Sequence, residues 1–154
     1  MPPASRCVAE ERLIIRPDTQ VAYVQARVRR FASLHGFPPR EEWMIAIAAS
    51  EAVTNILKYA SDGELRLRML DGEPAMLELE AVDEGPGVGD LSSAVTDGVS
   101  EGFDQAVDPR IGDRRGLGFG LGAIRRLMDE VEVQARTPSG TRLVARKRLP
   151  VPRA

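Results

Sequence analysis

A run of alternating glycines constrains this chain more than any other feature. Glycine occupies every second position from 116 to 122, and the apolar spacing that follows predicts a helix from about Leu121 to Asp129. Free N–H groups at the start of a helix attract phosphate, and glycines let several of them turn toward one anion. The run therefore predicts a phosphate-binding turn made of Gly116, Gly118, Gly120, Leu121 and Gly122.

The same run does not fit two common nucleotide motifs. A dinucleotide-binding G-x-G-x-x-G follows the first strand of a βαβ unit, with an acidic residue about 20 positions further on. Here the glycines come late in the chain, after a long segment without periodicity. No G-K-[ST] occurs anywhere, so a Walker lysine is missing as well.

Two polar residues share one face of a predicted helix. The spacing of apolar residues predicts this helix from about Arg40 to Tyr59, with Trp43, Ile47 and Glu51 near its inward side and Met44 and Ile45 as further candidates for that side. Glu51 and Asn55 are four residues apart and project from the same face. An amide oxygen is a hard ligand that suits Mg²⁺, and a neighbouring carboxylate accepts a proton or positions water. A solvated helix surface is the alternative interpretation.

A third group of residues follows a predicted strand that ends at Val82. Asp83, Gly85 and Gly87 place a carboxylate at the strand end beside backbone without side chains. Such a carboxylate can accept a hydrogen bond from the exocyclic amine of adenine, and the glycines let a flat ring approach the main chain. An ordinary glycine-proline turn is the alternative.

Composition excludes several classes of function. The 154 residues fit one domain, and 21 basic against 23 acidic residues give a net charge of −2, unlike the basic surface of a nucleic-acid binder. One Cys and one His almost exclude a zinc site of the His/Cys type, and one Cys excludes an internal disulfide. Neither a membrane span nor a signal peptide is evident, so we expect a cytoplasmic protein.

The remaining pattern predicts an α/β fold. Residues 1–9 are expected to form a flexible tail, and residues 10–149 a single domain with a lid at about 98–115. Asp18 is a candidate N-cap for a first helix that Gly36 ends. Alternating residues around Asp71-Gly72 predict a hairpin with Arg66 and Arg68 facing glutamates. We expect a two-layer sandwich, its sheet mixed and mostly antiparallel, with helices on one face.

Taken together, the motifs resemble those of a known family. The segments SEAVTN, DEGPG, GLGFGLGAIRRLMDE and SGT, in this order, look like the motif series of the GHKL (Bergerat-fold) ATPases. Within that superfamily the chain is similar to the small bacterial anti-sigma and switch kinases of the RsbT/RsbW/SpoIIAB type. The closing stretch looks most like RsbT, and the resemblance covers about residues 10–149.

The resemblance implies a role for each matching residue. Asn55 would coordinate Mg²⁺, and Glu51 would be the catalytic base or orient the attacking group. Asp83 would bond the adenine amine with support from Thr141. The glycines would divide between the purine pocket, with Gly85 and Gly87, and the phosphates, with Gly116, Gly118, Gly120 and Gly122.

The resemblance also implies the partners. It implies ATP-dependent phosphorylation of a Ser or Thr on a STAS-domain antagonist or scaffold protein, in a stress or regulatory pathway. The second target would be a sigma factor or a serine phosphatase, and the oligomeric state, a homodimer included, stays open. The rival hypothesis is a nucleotide-dependent anti-sigma binding module without useful catalysis, and a third, weaker one is a chaperone-like or mismatch-repair-like ATPase fragment.

The predicted lid departs from that family. It is roughly a dozen residues longer than a short RsbT-type lid, by the resemblance, and it ends in Arg114 and Arg115. Either arginine could reach a γ-phosphate and stabilise charge during transfer, with solvated loop charge as the alternative.

Overall fold

The strands form one open sheet, and the helices pack on one of its faces. The computed structural model describes residues 5–60, 62–85, 116–136 and 139–151. Along the chain the elements are β1 (Cys7–Ile15), α1 (Val21–Leu34), α2 (Pro39–Tyr59), β2 (Gly63–Leu70), β3 (Met76–Asp83), α3 (Gly116–Leu127), β4 (Glu130–Ala135) and β5 (Thr141–Arg148). The strand order is β1-β2-β3-β5-β4. The α/β sandwich is confirmed, and every pairing within the described residues is antiparallel, where a mixed sheet was expected.

Alternation along the strands divides the sheet into an apolar face and a charged face. Leu65 and Leu67 of β2 and Leu77 and Leu79 of β3 are fully buried beneath the helices. Because side chains alternate along a strand, the residues between them point to the other face. This alternation fixes which side of the sheet receives α1, α2 and α3.

The charged face carries a row of alternating charge across all five strands. Arg68 lies opposite Glu78, as the predicted hairpin requires, and Arg146 of β5 approaches Glu78 from the other side; both separations are 3.0 Å. Glu10 and Glu130 extend the row to the two edge strands. Glu78 is only 6% exposed, so its two arginines hold it out of water. We call these five residues the charge row.

The first helix confirms its predicted apolar face but not its predicted cap. Val24, Val28 and Phe31 are buried as the spacing indicates. The helix begins after Gln20, which makes no side-chain cap, so the prediction of Asp18 as N-cap is wrong. The hydroxyl of Thr19 instead accepts a bond from the backbone N–H of Arg16, and this turn delays the start of the helix.

The second helix turns a different face to the sheet than expected. Trp43 and Ile47 were expected near the inward side, yet 45% and 39% of their surface is exposed. Ile45, a further candidate for that side, is fully buried as expected, and a residue two positions away lies about 200° around a helix, on the opposite side. The Trp43 ring is partly covered by the guanidinium of Arg29, 3.8 Å from its centroid.

The predicted N-terminal tail needs correction, and the predicted lid lies outside the described residues. β1 begins at Cys7 and pairs with β2 from there, so the segment expected to be a tail already belongs to the sheet from that residue. The predicted lid at 98–115, with Arg114 and Arg115, lies outside the described residues.

Candidate nucleotide site

Glu51 and Asn55 lie in the C-terminal half of α2, where α3 packs across them. A Cβ atom built on Gly120 of α3 would lie 3.2 Å from Oε2 of Glu51 and 3.2 Å from Nδ2 of Asn55. Because that separation is tighter than ordinary van der Waals contact, a side chain at this position would push the polar ends of Glu51 and Asn55 aside. The structure thus brings together two predicted groups that are about 65 residues apart in the sequence.

The polar ends of this pair have no partner in the described part of the chain. The amide nitrogen Nδ2 of Asn55 is buried and makes no hydrogen bond. The Glu51 carboxylate likewise makes no hydrogen bond or ion pair to a described residue. An unpaired buried polar group costs about 1–3 kcal/mol, so Glu51 and Asn55 are candidate contacts for a ligand.

Buried side chains and one hydrogen bond at its C-terminus hold α3 in place. Leu121 and Ile124 are buried against α2 and the sheet, so Leu121 serves the core through its side chain. The Nζ of Lys147, on β5, donates to the carbonyl of Leu127 at 2.6 Å. A positive charge at the C-terminus of a helix is favourable because of the helix dipole. These contacts hold Gly120 over Glu51 and Asn55.

The glycine run begins the helix earlier than predicted. α3 starts at Gly116 rather than near Leu121, so Gly118, Gly120 and Gly122 lie within it. In a helix only the first four N–H groups lack an intrahelical acceptor. Within α3 the free amides therefore belong to residues 116–118, and Gly120 instead allows close contact with α2. Sequence reasoning missed this because four glycines in seven residues disfavour a helix.

Asp83 is the last residue of β3, the central strand of the sheet. It pairs with Gly63 of β2 on one side and Thr141 of β5 on the other. Its Oδ1 accepts the backbone N–H of Gly85 at 3.0 Å, and the backbone of Thr141 also bonds to its carboxylate. Burial raises the pKa of the Asp83 carboxyl above its ordinary value, while both backbone bonds and the charge of Arg136 oppose the rise.

Gly85 packs directly on the C-terminal end of α2. A Cβ atom there would lie 2.5 Å from Cβ of Ala60 and 3.0 Å from the backbone oxygen of Tyr59. Only glycine fits this contact, so packing on α2 requires Gly85, while its place in a purine pocket stays a prediction. Gly87, the second glycine of the motif, lies outside the described residues.

Sequence reasoning missed the support behind Asp83. Arg136 donates from Nη1 to the Asp83 carbonyl at 2.8 Å, and the Ser139 hydroxyl donates to the Glu84 carbonyl at 3.3 Å. Gly140 has a φ of +108° and its Cα faces the Asp83 carbonyl, where a side chain would clash. The Ser-Gly-Thr segment was the only available signal, and it pointed to Thr141 alone.

These features define a class of protein. A helix that carries a Glu/Asn pair beneath a glycine-rich helix, with an Asp-x-Gly at the adjoining strand end, is the arrangement of a GHKL-type nucleotide-binding domain. A family model described as the histidine kinase-like ATPase domain matches residues 15–147. The chain belongs to this family.

A named relative narrows the class. The serine/threonine-protein kinase RsbT of Bacillus subtilis (strain 168) is 32% identical over 136 residues, which cover 86% of this chain and 93% of that protein. The predicted resemblance to RsbT-like kinases is therefore confirmed, and the chain belongs with the ATP-using protein serine/threonine kinases of the family. Among the described residues, no helix is long and apolar enough to cross a membrane.

Proposed function

We propose that this chain is an ATP-dependent serine/threonine protein kinase that acts as a partner-switching regulator. One observation carries the proposal: α2 contacts the Asp83–Gly85 segment at its C-terminal end and carries Glu51 and Asn55 further back. Gly85 packs on Ala60 at the end of α2, and a rise of 1.5 Å per residue puts Asn55 about 7.5 Å and Glu51 about 13.5 Å back along its axis. A nucleotide with its base at Asp83 would extend its phosphates toward that pair.

The adenine end would use groups that are already fixed. The Asp83 carboxylate would accept a hydrogen bond from the exocyclic amine, which an ionised carboxylate suits because it only accepts. Thr141 lies beside it in the sheet register and would support the base. The flat ring would lie against the backbone at Gly85 and, in our proposal, Gly87.

The phosphate end would combine free amides with a metal ligand. The first-turn N–H groups of α3, from Gly116 and Gly118 among others, would face the phosphates, and Gly120 and Gly122 would keep side chains out of the way. The amide oxygen Oδ1 of Asn55 would be the ligand for Mg²⁺, which takes one or two protein oxygens and keeps several waters. The buried nitrogen Nδ2, which has no partner among the described residues, would donate a hydrogen bond to a phosphate oxygen or a water. The described residues hold no cluster of three or more His, Cys, Asp or Glu able to bind metal, so phosphate oxygens would complete the set. Bound there, Mg²⁺ would neutralise phosphate charge.

Glu51 would serve the transfer step. Its carboxylate has no partner among the described residues and lies one helical turn from Asn55. As the Ser or Thr oxygen bonds to the γ-phosphorus, the bond from phosphorus to the bridging oxygen breaks, ADP leaves, and Glu51 takes the hydroxyl proton. Phosphoryl transfer needs mainly positioning and electrostatic stabilisation, which this fixed geometry supports.

The partners follow from the family resemblance. The acceptor would be a STAS-domain antagonist or scaffold protein, and the second target a sigma factor or a serine phosphatase. Neither nucleic acid nor membrane would be a direct partner, and the kinase would act in the cytoplasm. The relative in Bacillus subtilis is named a serine/threonine-protein kinase, which supports a protein hydroxyl as the acceptor.

Calorimetric titration with ATP and Mg²⁺ tests the site. Wild type is expected to bind, and Asp83→Asn to bind roughly 10–100-fold more weakly, because a hydrogen bond to a charged group is lost. Asp71→Asn makes the same chemical change in the β2–β3 turn, where Asp71 bonds to Arg6, and is the matched control. Equal affinities for the two variants would exclude Asp83 as the adenine contact.

A transfer assay tests the activity. Labelled γ-phosphate should move from ATP to a purified STAS-domain protein encoded near this chain. Binding of ATP together with a sigma factor, without any transfer to STAS candidates, would favour the anti-sigma binding module instead.

A further inference from the structure

The connection between β4 and β5 contacts the backbone of Asp83 and Glu84 at three points. Its described residues are Arg136, Ser139 and Gly140. Two of them donate hydrogen bonds to the consecutive carbonyls of Asp83 and Glu84, at 2.8 and 3.3 Å. Gly140 packs its backbone on the Asp83 carbonyl in a conformation with φ of +108°. Three contacts thus converge on a segment of two residues.

Arg136 is itself fixed by the same connection. Its backbone N–H donates to the Gly140 carbonyl at 3.0 Å, which ties it to the start of β5. From there the guanidinium reaches Asp83, 53 residues earlier in the sequence. The cation therefore lies beside a half-buried carboxylate and bonds to the main chain that carries it.

We propose that Arg136 is a positioning residue that sets the nucleobase selectivity of this site by holding the Asp83 carboxylate as a hydrogen-bond acceptor for adenine. The inference rests on the proposed function, in which Asp83 contacts the base. Arg136 touches neither the base nor the reacting phosphate in this proposal.

The chemistry of the two purines explains why an acceptor matters. Adenine presents an amine donor at the position where guanine presents a carbonyl acceptor. An ionised carboxylate bonds the amine and repels the carbonyl, whereas a protonated one can donate to the carbonyl. Selectivity for adenine therefore depends on both the direction and the ionisation of Asp83.

Backbone bonds from Gly85 and Thr141 orient the Asp83 carboxylate, and Arg136 adds a bond to the main chain that carries it and a positive charge beside it. The neighbours of Asp83 from the flanking strands are Gly63 and the backbone of Thr141, and Gly85 separates it from Ala60 and Tyr59 at the end of α2. Among the described residues Arg136 is the charged side chain that acts on the Asp83 carboxyl, and it opposes the rise in pKa that burial causes. Glu84, adjacent in sequence, is exposed.

The test compares affinities for two nucleotides in three variants. Binding of Mg²⁺-ATP and Mg²⁺-GTP is measured by calorimetry from about pH 5 to pH 8 for Arg136→Gln, Arg136→Lys and the control Arg142→Gln. Arg142 pairs with Glu80 on the charged face and follows Thr141 directly. Its loss disturbs the same strand without touching Asp83.

Arg136→Gln is expected to lower the ratio of ATP to GTP affinity about tenfold, the effect of roughly one hydrogen bond. Its ATP binding should also weaken at a higher pH than in wild type, because Asp83 protonates more readily. Arg136→Lys should restore the pH profile, since it restores the charge. The KM for ATP should rise in Arg136→Gln while kcat at saturating ATP stays unchanged.

Three outcomes would overturn the proposal. An unchanged ATP to GTP ratio in both Arg136 variants, with Asp83→Asn still losing ATP, removes Arg136 and leaves the adenine site intact. A matching loss in Arg142→Gln would make the effect a general disturbance of β5. If Asp83→Asn itself keeps full ATP affinity, the proposed base contact fails, and this inference fails with it.

Discussion

The two ends of the site differ in how far their polar groups are satisfied. At Asp83 the carboxylate accepts backbone bonds, its own carbonyl accepts Arg136, and the glycines fit against neighbouring backbone. At Glu51 and Asn55 a buried amide and a carboxylate have no described partner. In the described residues the polar groups of the proposed adenine end are thus satisfied by the protein, whereas those of the proposed phosphate end are not.

This difference separates recognition from chemistry. A base contact gains from a rigid acceptor because any loosening lowers selectivity between similar purines. A transfer site instead needs groups free to bond charge that develops during reaction, so it keeps them unpaired at a cost in stability. We expect changes at the two ends to affect different measurements.

The largest expected effect is at the phosphate end. Glu51→Gln should lower the rate of transfer to the protein substrate roughly 10²–10⁴-fold, because a proton acceptor is lost. Affinity for ATP should stay near wild type, since the adenine end is untouched. Single-turnover transfer and calorimetry measure the two quantities, and a parallel loss of both would contradict the separation.

Gly120→Ala should crowd the same end. Its Cβ would lie 3.2 Å from Glu51 and Asn55 and displace both, so we expect transfer to slow about tenfold. Stability should move the other way, by up to about 1 kcal/mol, because Ala favours a helix more than Gly. Urea unfolding and a transfer assay check the two signs, and a fall in both would indicate simple misfolding.

Asn55→Ala tests whether function at this end costs stability. Removal of a buried amide without a partner should raise the free energy of unfolding by about 0.5–1 kcal/mol, helped by the helix propensity of Ala. The dependence of ATP binding on Mg²⁺ should weaken. Thr54→Ala is the control, because its hydroxyl already bonds to the Ser50 carbonyl at 2.7 Å. A destabilised Asn55→Ala would show that the amide is already satisfied.

The smallest effect is a pH dependence at the adenine end. The pKa of Asp83 is raised by burial, so the stability that this carboxyl contributes is present below its ordinary pKa of 3.8 and is lost as pH rises through the raised value. Asp83→Asn removes that loss. The difference in free energy of unfolding, Asp83→Asn minus wild type, should therefore increase from about pH 4 toward neutrality and then level off. Urea unfolding of both proteins across this pH range measures the difference, and a difference that does not change with pH would show that burial does not raise the pKa of Asp83.

Local patterns predicted much of the fold and part of the site. The Arg and Glu alternation gave the β2–β3 hairpin, and i, i+4 spacing put Glu51 beside Asn55, because both depend on neighbours in sequence. The predicted inward orientation of Trp43 and Ile47 was wrong because tertiary packing decides which side of an apolar helix is covered. Arg136 escaped notice because its contact with Asp83 joins residues 53 apart, which no local period encodes.

The charge row also guards the alignment of the hairpin. If β3 slipped by two residues against β2, each side chain would stay on its face of the sheet, yet Glu64 would lie opposite Glu80. Arg68 would then lie opposite Met76 instead of Glu78 and would lose its ion pair. A slip of one residue would instead expose the leucines. Asp83 stands opposite Gly63 and Thr141 only in the native alignment. Charges on the far face of the sheet thus favour the alignment in which Asp83 ends β3 beside Thr141.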